Sequence, residues 1–199
     1  MQLTPEIVKD IIENVPKRRT PIDGYVRSAI LMLFFNRHNQ TYLVYIRRTK
    51  DMTLHSGQMA FPGGKIDAED ASSYETAVRE TYEEIGVSED QVVHLGEMGY
   101  FETLTSGYDA VAHLAWCDNP PKYRLNPIEV AEVVEIPVAI LKQQFRPDLH
   151  FDNAQEVMYL NFRFKSEHSP NPANLWGLTA RITHHFIHGL TDHLQRRSA

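Results

Sequence analysis

Three glutamates, Glu80, Glu83 and Glu84, stand at i, i+3 and i+4 on a segment that follows the glycine turn Phe61-Pro62-Gly63-Gly64. On an ideal helix with Tyr74 at zero, Glu83, Glu80 and Glu84 fall at about 180°, 240° and 280°. Tyr74, Ala77, Val78, Thr81 and Ile85 cluster within roughly 60° of zero, an apolar stripe on the other side. One short helix would then bury one face and present three carboxylates on the opposite one. Like charges this close repel on a bare helix. Hard divalent cations such as Mg²⁺ or Mn²⁺ reverse that sign, because they take several anionic oxygens together with substrate phosphates. The pattern reads as a metal site on a helix packed against a core.

The boundaries of this helix are also written in the sequence. Ser72-Ser73-Tyr74-Glu75 fits a capping box, with Ser72 as N-cap and Glu75 reaching back to it. Gly86 stands where a C-terminal glycine ends a helix. An E-x-x-E-E cluster alone is most often a solvated helical face. The preceding glycine turn and Arg79, a cation able to hold a carboxylate by two parallel bonds, tilt the reading toward a site.

These residues resemble a known family. Residues 64–87 are similar to the Nudix box, G-x5-E-x7-R-E-U-x-E-E-x-G-U with U aliphatic, matching at Arg79, Glu80, Glu83, Glu84, Gly86 and Val87. Thr81 takes the first U position. Asp70 stands in place of the first Glu, and eight residues rather than seven separate it from Arg79. The branch resembling coenzyme A pyrophosphatases has GG-x-x-D-x-x-D-x-S before the same helix, here Gly63, Gly64, Asp67, Asp70 and Ser72. Its upstream signature matches at Arg48, His55, Gly57, Gln58 and residues 61–64, whereas Met52 and Thr53 replace a Leu-Arg pair. Further similar runs are Thr105-Ser106-Gly107-Tyr108, residues 126–133 and Trp176-Gly177-Leu178-Thr179-Ala180.

The resemblance implies an α/β fold, a Nudix-type α/β/α sandwich with a mixed central sheet. It implies metal-dependent hydrolysis of a pyrophosphate, with Mg²⁺ or Mn²⁺ held by Glu80, Glu83 and Glu84 and by the backbone of Gly64. Arg79 would fix one of these glutamates. The general base is either a box glutamate or a carboxylate of residues 126–132, with Glu129 the better choice. Arg48, His55 and Tyr108 are the candidate substrate contacts; Tyr108 can stack on an adenine or pack its own loop equally well. Arg48 would face the 3′-phosphate of coenzyme A, for which the absent arginine at position 53 removes one contact. Three functions stay open: a pyrophosphatase of coenzyme A or an acyl-coenzyme A, a Nudix pyrophosphatase of another nucleoside diphosphate derivative such as ADP-ribose or NADH, and a non-catalytic nucleotide-binding domain.

Composition sets the remaining expectations. With 199 residues and 42% hydrophobic content, the chain suits one domain. Residues 1–26 would be an N-terminal helix and lead-in, and residues 27–199 the Nudix domain. A net charge of −6 excludes a general nucleic-acid or acidic-membrane binder, which needs a basic surface. The lone Cys117, the lack of a signal peptide at the start and the shortness of the apolar run 29–35 point to a cytoplasmic protein. A small nucleotide is the expected partner, and a homodimer is left open.

Periodicity places a helix at 4–15, strands at 28–35 and 42–48 around a turn at 36–40, and a short strand at 59–61. Strands follow at 92–101, 110–117, 130–136 and 157–164, with a short helix from Pro137 to Leu141, a loop at 169–173 and a closing helix at 175–194. His184, His185, His188 and His193 lie on that last helix beside the stripe Leu175, Leu178, Ile182, Phe186 and Leu190. Without an H-E-x-x-H spacing they read as surface or packing residues, not a zinc site. Trp176 reads as core or interface.

Overall fold

The computed structural model describes residues 1–49, 57–103, 105–147, 162–164 and 173–198. His55, Met52, Thr53 and most of the strand expected at 157–164 lie outside these residues. The chain opens with α1 (Pro5–Asn14), whose Thr4 hydroxyl accepts from the Ile7 N–H and whose Val8, Ile11 and Ile12 are buried. Strands β1 (Val26–Arg37) and β2 (Gln40–Arg48) form a hairpin. The link expected over five residues is shorter: His38 and Asn39, at φ 50° and 59°, make the whole turn. Two consecutive left-handed residues match the right-handed twist of the flanking strands, so the strands continue to Arg37 and Gln40.

Two short strands, β3 (Met59–Ala60) and β4 (Gly63–Lys65), flank the glycine turn. β3 pairs with the end of β2, and β4 pairs antiparallel with the start of β1, Gly64 opposite Ala29. Next come α2 (Ser73–Ile85), a 3₁₀ turn at Glu89–Gln91, β5 (Val93–Glu102), β6 (Tyr108–Cys117), β7 (Val130–Pro137) and α3 (Val138–Gln143). β8 (Phe162–Phe164) and β9 (Ala173–Leu175) form a separate antiparallel pair ahead of α4 (Gly177–Arg196). Ala173, expected in a loop, therefore opens a strand.

The main sheet runs β3-β2-β1-β6-β5, with β4 also on β1 and β7 also on β2. β1 and β6 are parallel and the other pairs antiparallel, so the sheet is mixed. Alternation along β1 sorts the core into two layers. Leu31, Leu33 and Phe35 pack with Ala77 and Ile85 of α2; Met32 and Phe34 pack with Ile11 of α1, Leu141 of α3 and Phe186 of α4. Burial on both faces explains why this strand reads as a nearly unbroken apolar run. The result is the expected α/β/α sandwich. Among the described residues no helix is long and apolar enough to cross a membrane.

Among the described residues the α4 histidines divide between packing and surface, with His188 exposed beside Asp192. His184 is buried, its Nε2 3.0 Å from the Arg146 carbonyl, and His193 Nδ1 lies 2.5 Å from Asp10 on α1. Trp176 caps the start of α4 and is 40% exposed, so it is not a core residue.

Candidate active site

α2 crosses one face of the sheet and delivers its acidic edge to the glycine turn. Ser72 caps it as expected, accepting from the Glu75 N–H at 3.1 Å, and Gly86 ends it at φ 76°. Glu75 reaches back one residue further than expected: its carboxylate accepts from the Ala71 N–H at 2.6 Å, not from Ser72.

The three glutamates do not share one exposure. Glu83 points to solvent, Glu80 is largely covered, and the Glu84 side chain is only 1% exposed. Glu84 lies at the margin of the apolar stripe, and the turn folds over it so that the Gly63 N–H donates to its Oε2 at 3.0 Å. The picture of three carboxylates presented together on an open face is thus corrected. Gly63 itself holds φ 147° against β1, where a Cβ would stand 2.3 Å from the Ala29 carbonyl oxygen.

Burial pushes the Glu84 carboxyl up to about 8, with Glu80 and Glu129 adding repulsion against the relief given by Gly63 and Arg48. Burial likewise raises Glu80, and Glu83 and Glu129 add to it. Glu129 is near enough to repel both, on a loop that the Asn126 N–H ties to the Glu84 carbonyl at 2.9 Å. Arg48 comes in from the end of β2, its Nη1 3.8 Å from Glu84 Oε1, while its buried Nε has no hydrogen-bond partner in the described structure.

Arg79 acts on more than a glutamate. Its Nε and Nη2 make two 3.0 Å bonds to Asp70, and its Nη1 reaches Glu80 at 3.0 Å and Glu83 at 3.4 Å. The guanidinium holds the Asp70 carboxyl well below the usual carboxylate range, with a further bond from Thr76. Asp70 thereby replaces the box glutamate as the anchor of Arg79. The signal for that pairing was the motif position alone, since eight residues of turn and helix separate the two.

Tyr108 opens β6 beside Val26, and its N–H donates to Thr103 Oγ1 at 2.8 Å, so it belongs to a strand end next to the 103–107 loop. It is not brought to the carboxylates by any contact described. A second cluster escaped sequence reasoning: Ser73 Oγ, His113 Nε2 and Nδ1, and His94 Nε2 are linked at 2.9 and 3.2 Å, with Tyr74 stacked on His94. Burial pushes His113 down to about 4. This neutral relay fastens the start of α2 to β5 and β6.

The residues at the turn fit a hard divalent cation, since they bring carboxylate oxygens, the ligands such a cation takes. Glu80 and Glu84 are raised by burial, and Glu80 adds to the rise of Glu84, a penalty that a cation would remove. A Cβ on Gly64 would fall 2.4 Å from the Glu80 carboxylate, so the glycine leaves room for that group. As they stand, with Arg79 drawn between Glu80 and Glu83, no three His, Cys, Asp or Glu side chains among the described residues are gathered around one point.

Comparison with known proteins gives the context. A family model described as NUDIX domain matches residues 25–173. The uncharacterized Nudix hydrolase NudL of Pectobacterium atrosepticum is 29% identical over 182 residues, covering 90% of either chain. Its namesake in Yersinia enterocolitica is 32% identical over 158 residues, 78% of this chain and 76% of that one. Among solved structures, a MutT/nudix family protein from Enterococcus faecalis has a similar fold, with a TM-score of 0.56 at 15% identity over 96% of this chain and 76% of that chain. The NUDIX domain of Shewanella oneidensis NrtR, complexed with ADP ribose, gives 0.50 at 23% identity over 67% and 84%. The match runs through the sheet, the glycine turn and α2 with its carboxylates, and the chain is an enzyme of the Nudix hydrolase family.

Proposed function

We propose that this enzyme hydrolyses the pyrophosphate bond of coenzyme A or an acyl-coenzyme A, releasing 3′,5′-ADP and (acyl-)4′-phosphopantetheine, with Mg²⁺ or Mn²⁺ as cofactor. The observation that carries the hydrolytic reading is the burial of Glu80 and Glu84 at the glycine turn beside Gly63 and Arg48, with Glu129 near enough to repel both. Such mutual repulsion is tolerated where a cation and an anionic substrate complete the charge balance. The coenzyme A reading rests on the residues shared with that branch, from Arg48 through Gly57-Gln58 and Phe61-Pro62-Gly63-Gly64 to Asp67, Asp70 and Ser72.

Glu80, Glu83 and Glu84, with the Gly64 carbonyl, would hold the metal. Bound there, a divalent cation neutralises phosphate charge and lowers the pKa of water. Glu129 accepts the proton of the attacking water, from a backbone fixed at both ends of its loop. Arg79, tied to Asp70, keeps Glu80 and Glu83 in place and does not touch substrate. Arg48 contacts a phosphate next to the carboxylates, its free Nε being the available donor. His55 and Tyr108 are the remaining substrate contacts, and residues 27–199 form the catalytic domain of a cytoplasmic enzyme.

ADP-ribose or NADH is the second reading, favoured by Thr53 in place of an arginine; ADP-ribose also sits in the Shewanella domain of similar fold. Purified protein with Mg²⁺ or Mn²⁺ and coenzyme A, acetyl-coenzyme A, ADP-ribose and NADH, followed by product chromatography, separates the two. Release of 3′,5′-ADP with the highest kcat/KM on a coenzyme A substrate supports the first reading. Preference for ADP-ribose or NADH overturns it in favour of the second, and cleavage of none of them defeats both.

A further inference from the structure

The loop that carries Glu129 is fastened to the end of α2 at Arg124, whose N–H donates to the Ile85 carbonyl at 2.8 Å, and, closer to Glu129 itself, at Asn126. Its N–H donates to the Glu84 carbonyl at 2.9 Å, one of the last carbonyls of α2 that the helix itself leaves unpaired. Its own carbonyl accepts from the N–H groups of Glu129 and Val130 at 3.2 and 2.8 Å. Its side chain turns back into the same loop: Oδ1 accepts from the Ile128 N–H at 3.1 Å, and Nδ2 donates to Glu129 Oε1 at 3.2 Å. An N–H at one end of the amide and a carboxylate at the other leave only one orientation that satisfies both. From the opposite side, Thr49 at the end of β2 donates to the carbonyls of Ile128 and Glu129.

We infer that Asn126 is a positioning residue, which holds the Glu129 carboxylate in a fixed relation to Glu84 by tying both to the last turn of α2. The inference rests on the proposal that Glu129 accepts the proton. The physical need is specific to asparagine. Aspartate would keep the acceptor for Ile128 but lose the donor to Glu129 and set a like charge beside it. Alanine would lose both. A base displaced by about 1 Å can cost about a hundredfold in rate while substrate binding is untouched. A role confined to the loop's own fold would leave Asn126→Asp harmless, because the turn-forming acceptor and every backbone bond survive that change.

The test is kcat, KM and Tm for the wild type, Asn126→Asp, Asn126→Ala, Glu129→Gln and the Asn126→Asp/Glu129→Gln double variant. The assay uses Mg²⁺ and coenzyme A, or ADP-ribose if the wild type prefers it. Asn126→Asp is expected to lower kcat by on the order of 10- to 100-fold, with KM and Tm close to wild type. In the Glu129→Gln background it should change kcat by less than about twofold. Wild-type kcat in Asn126→Asp, or the same loss in both backgrounds when Glu129→Gln is itself impaired, overturns the inference alone. Wild-type kcat in Glu129→Gln overturns the assignment of the base and the inference with it. Failure of both Asn126 variants to fold makes the residue a scaffold residue, which also overturns it.

Discussion

The Glu80 carboxylate fills the space that a side chain on Gly64 would occupy: a Cβ there would stand 2.4 Å from both Cδ and Oε1. Gly64→Ala is expected to push that carboxylate aside. The obstacle is the far end of a flexible side chain, so the fold should yield cheaply and Tm should change little. Activity should fall by on the order of tenfold or more, with a higher requirement for Mg²⁺, as read by kcat across a metal titration. Wild-type metal dependence would show that Glu80 is not a ligand.

Arg79 and Asp70 form the paired bond that orders the segment ahead of α2. Asp70→Asn keeps the shape and removes the charge, leaving the guanidinium to compete for Glu80 and Glu83. Turnover should drop about tenfold, and stability by about 1.5–3 kcal/mol, the range for hydrogen bonds to charged groups. Chemical denaturation and kcat check the two parts separately. An unchanged kcat would confine Arg79 to a structural role.

Glu84 makes the metal-free protein sensitive to pH. Burial raises its carboxyl from 4.5 to about 8, so the folded chain keeps a proton that the unfolded chain has released. That contribution is present in full below about pH 4.5 and is lost as pH rises through 8. In the absence of metal, Tm should therefore decline from pH 5 to pH 8. Glu84→Gln should flatten the decline, and millimolar Mg²⁺ should restore Tm at the upper end. A metal-free Tm that rises over this range would contradict the assignment of the shift.

Far from the site, Gly189 of α4 lies against α1, where a Cβ would stand 2.3 Å from Val15 Cγ1 and 2.9 Å from Ile11 Cγ2. Alanine gains about 1 kcal/mol of helix propensity over glycine, but forced overpacking costs about 1–3 kcal/mol. Gly189→Ala is expected to lower stability by up to about 2 kcal/mol while the activity of the folded enzyme is unchanged. A raised Tm would mean that the two helices separate easily.

Much of this was legible before the fold. The caps of α2, Ser72 and Gly86, are local chemistry, and both stand where the sequence puts them. The apolar periodicity of α1 and α4 also sufficed, because each helix buries one continuous stripe. β4 was not legible: Gly63-Gly64-Lys65 has no strand pattern, and its pairing comes from the start of β1 lying alongside. The burial of Glu84 was hidden for a related reason. Helical angle separates faces but does not reveal that a glycine turn will close over one edge. Asp70 acts through Arg79, and Asn126 through a backbone bond to the Glu84 carbonyl that only tertiary structure fixes.

The central claim is that the carboxylates of α2 perform metal-dependent pyrophosphate hydrolysis. Its most direct test compares Glu84→Gln with Glu75→Gln, one residue inside the site and one at the cap, using Mg²⁺ and the preferred substrate of the panel. Glu84→Gln should reduce kcat by on the order of a hundredfold or more while the protein stays folded. Glu75→Gln should lose about 1 kcal/mol of stability or less and keep nearly full turnover. Equal activity in the two variants would contradict the account.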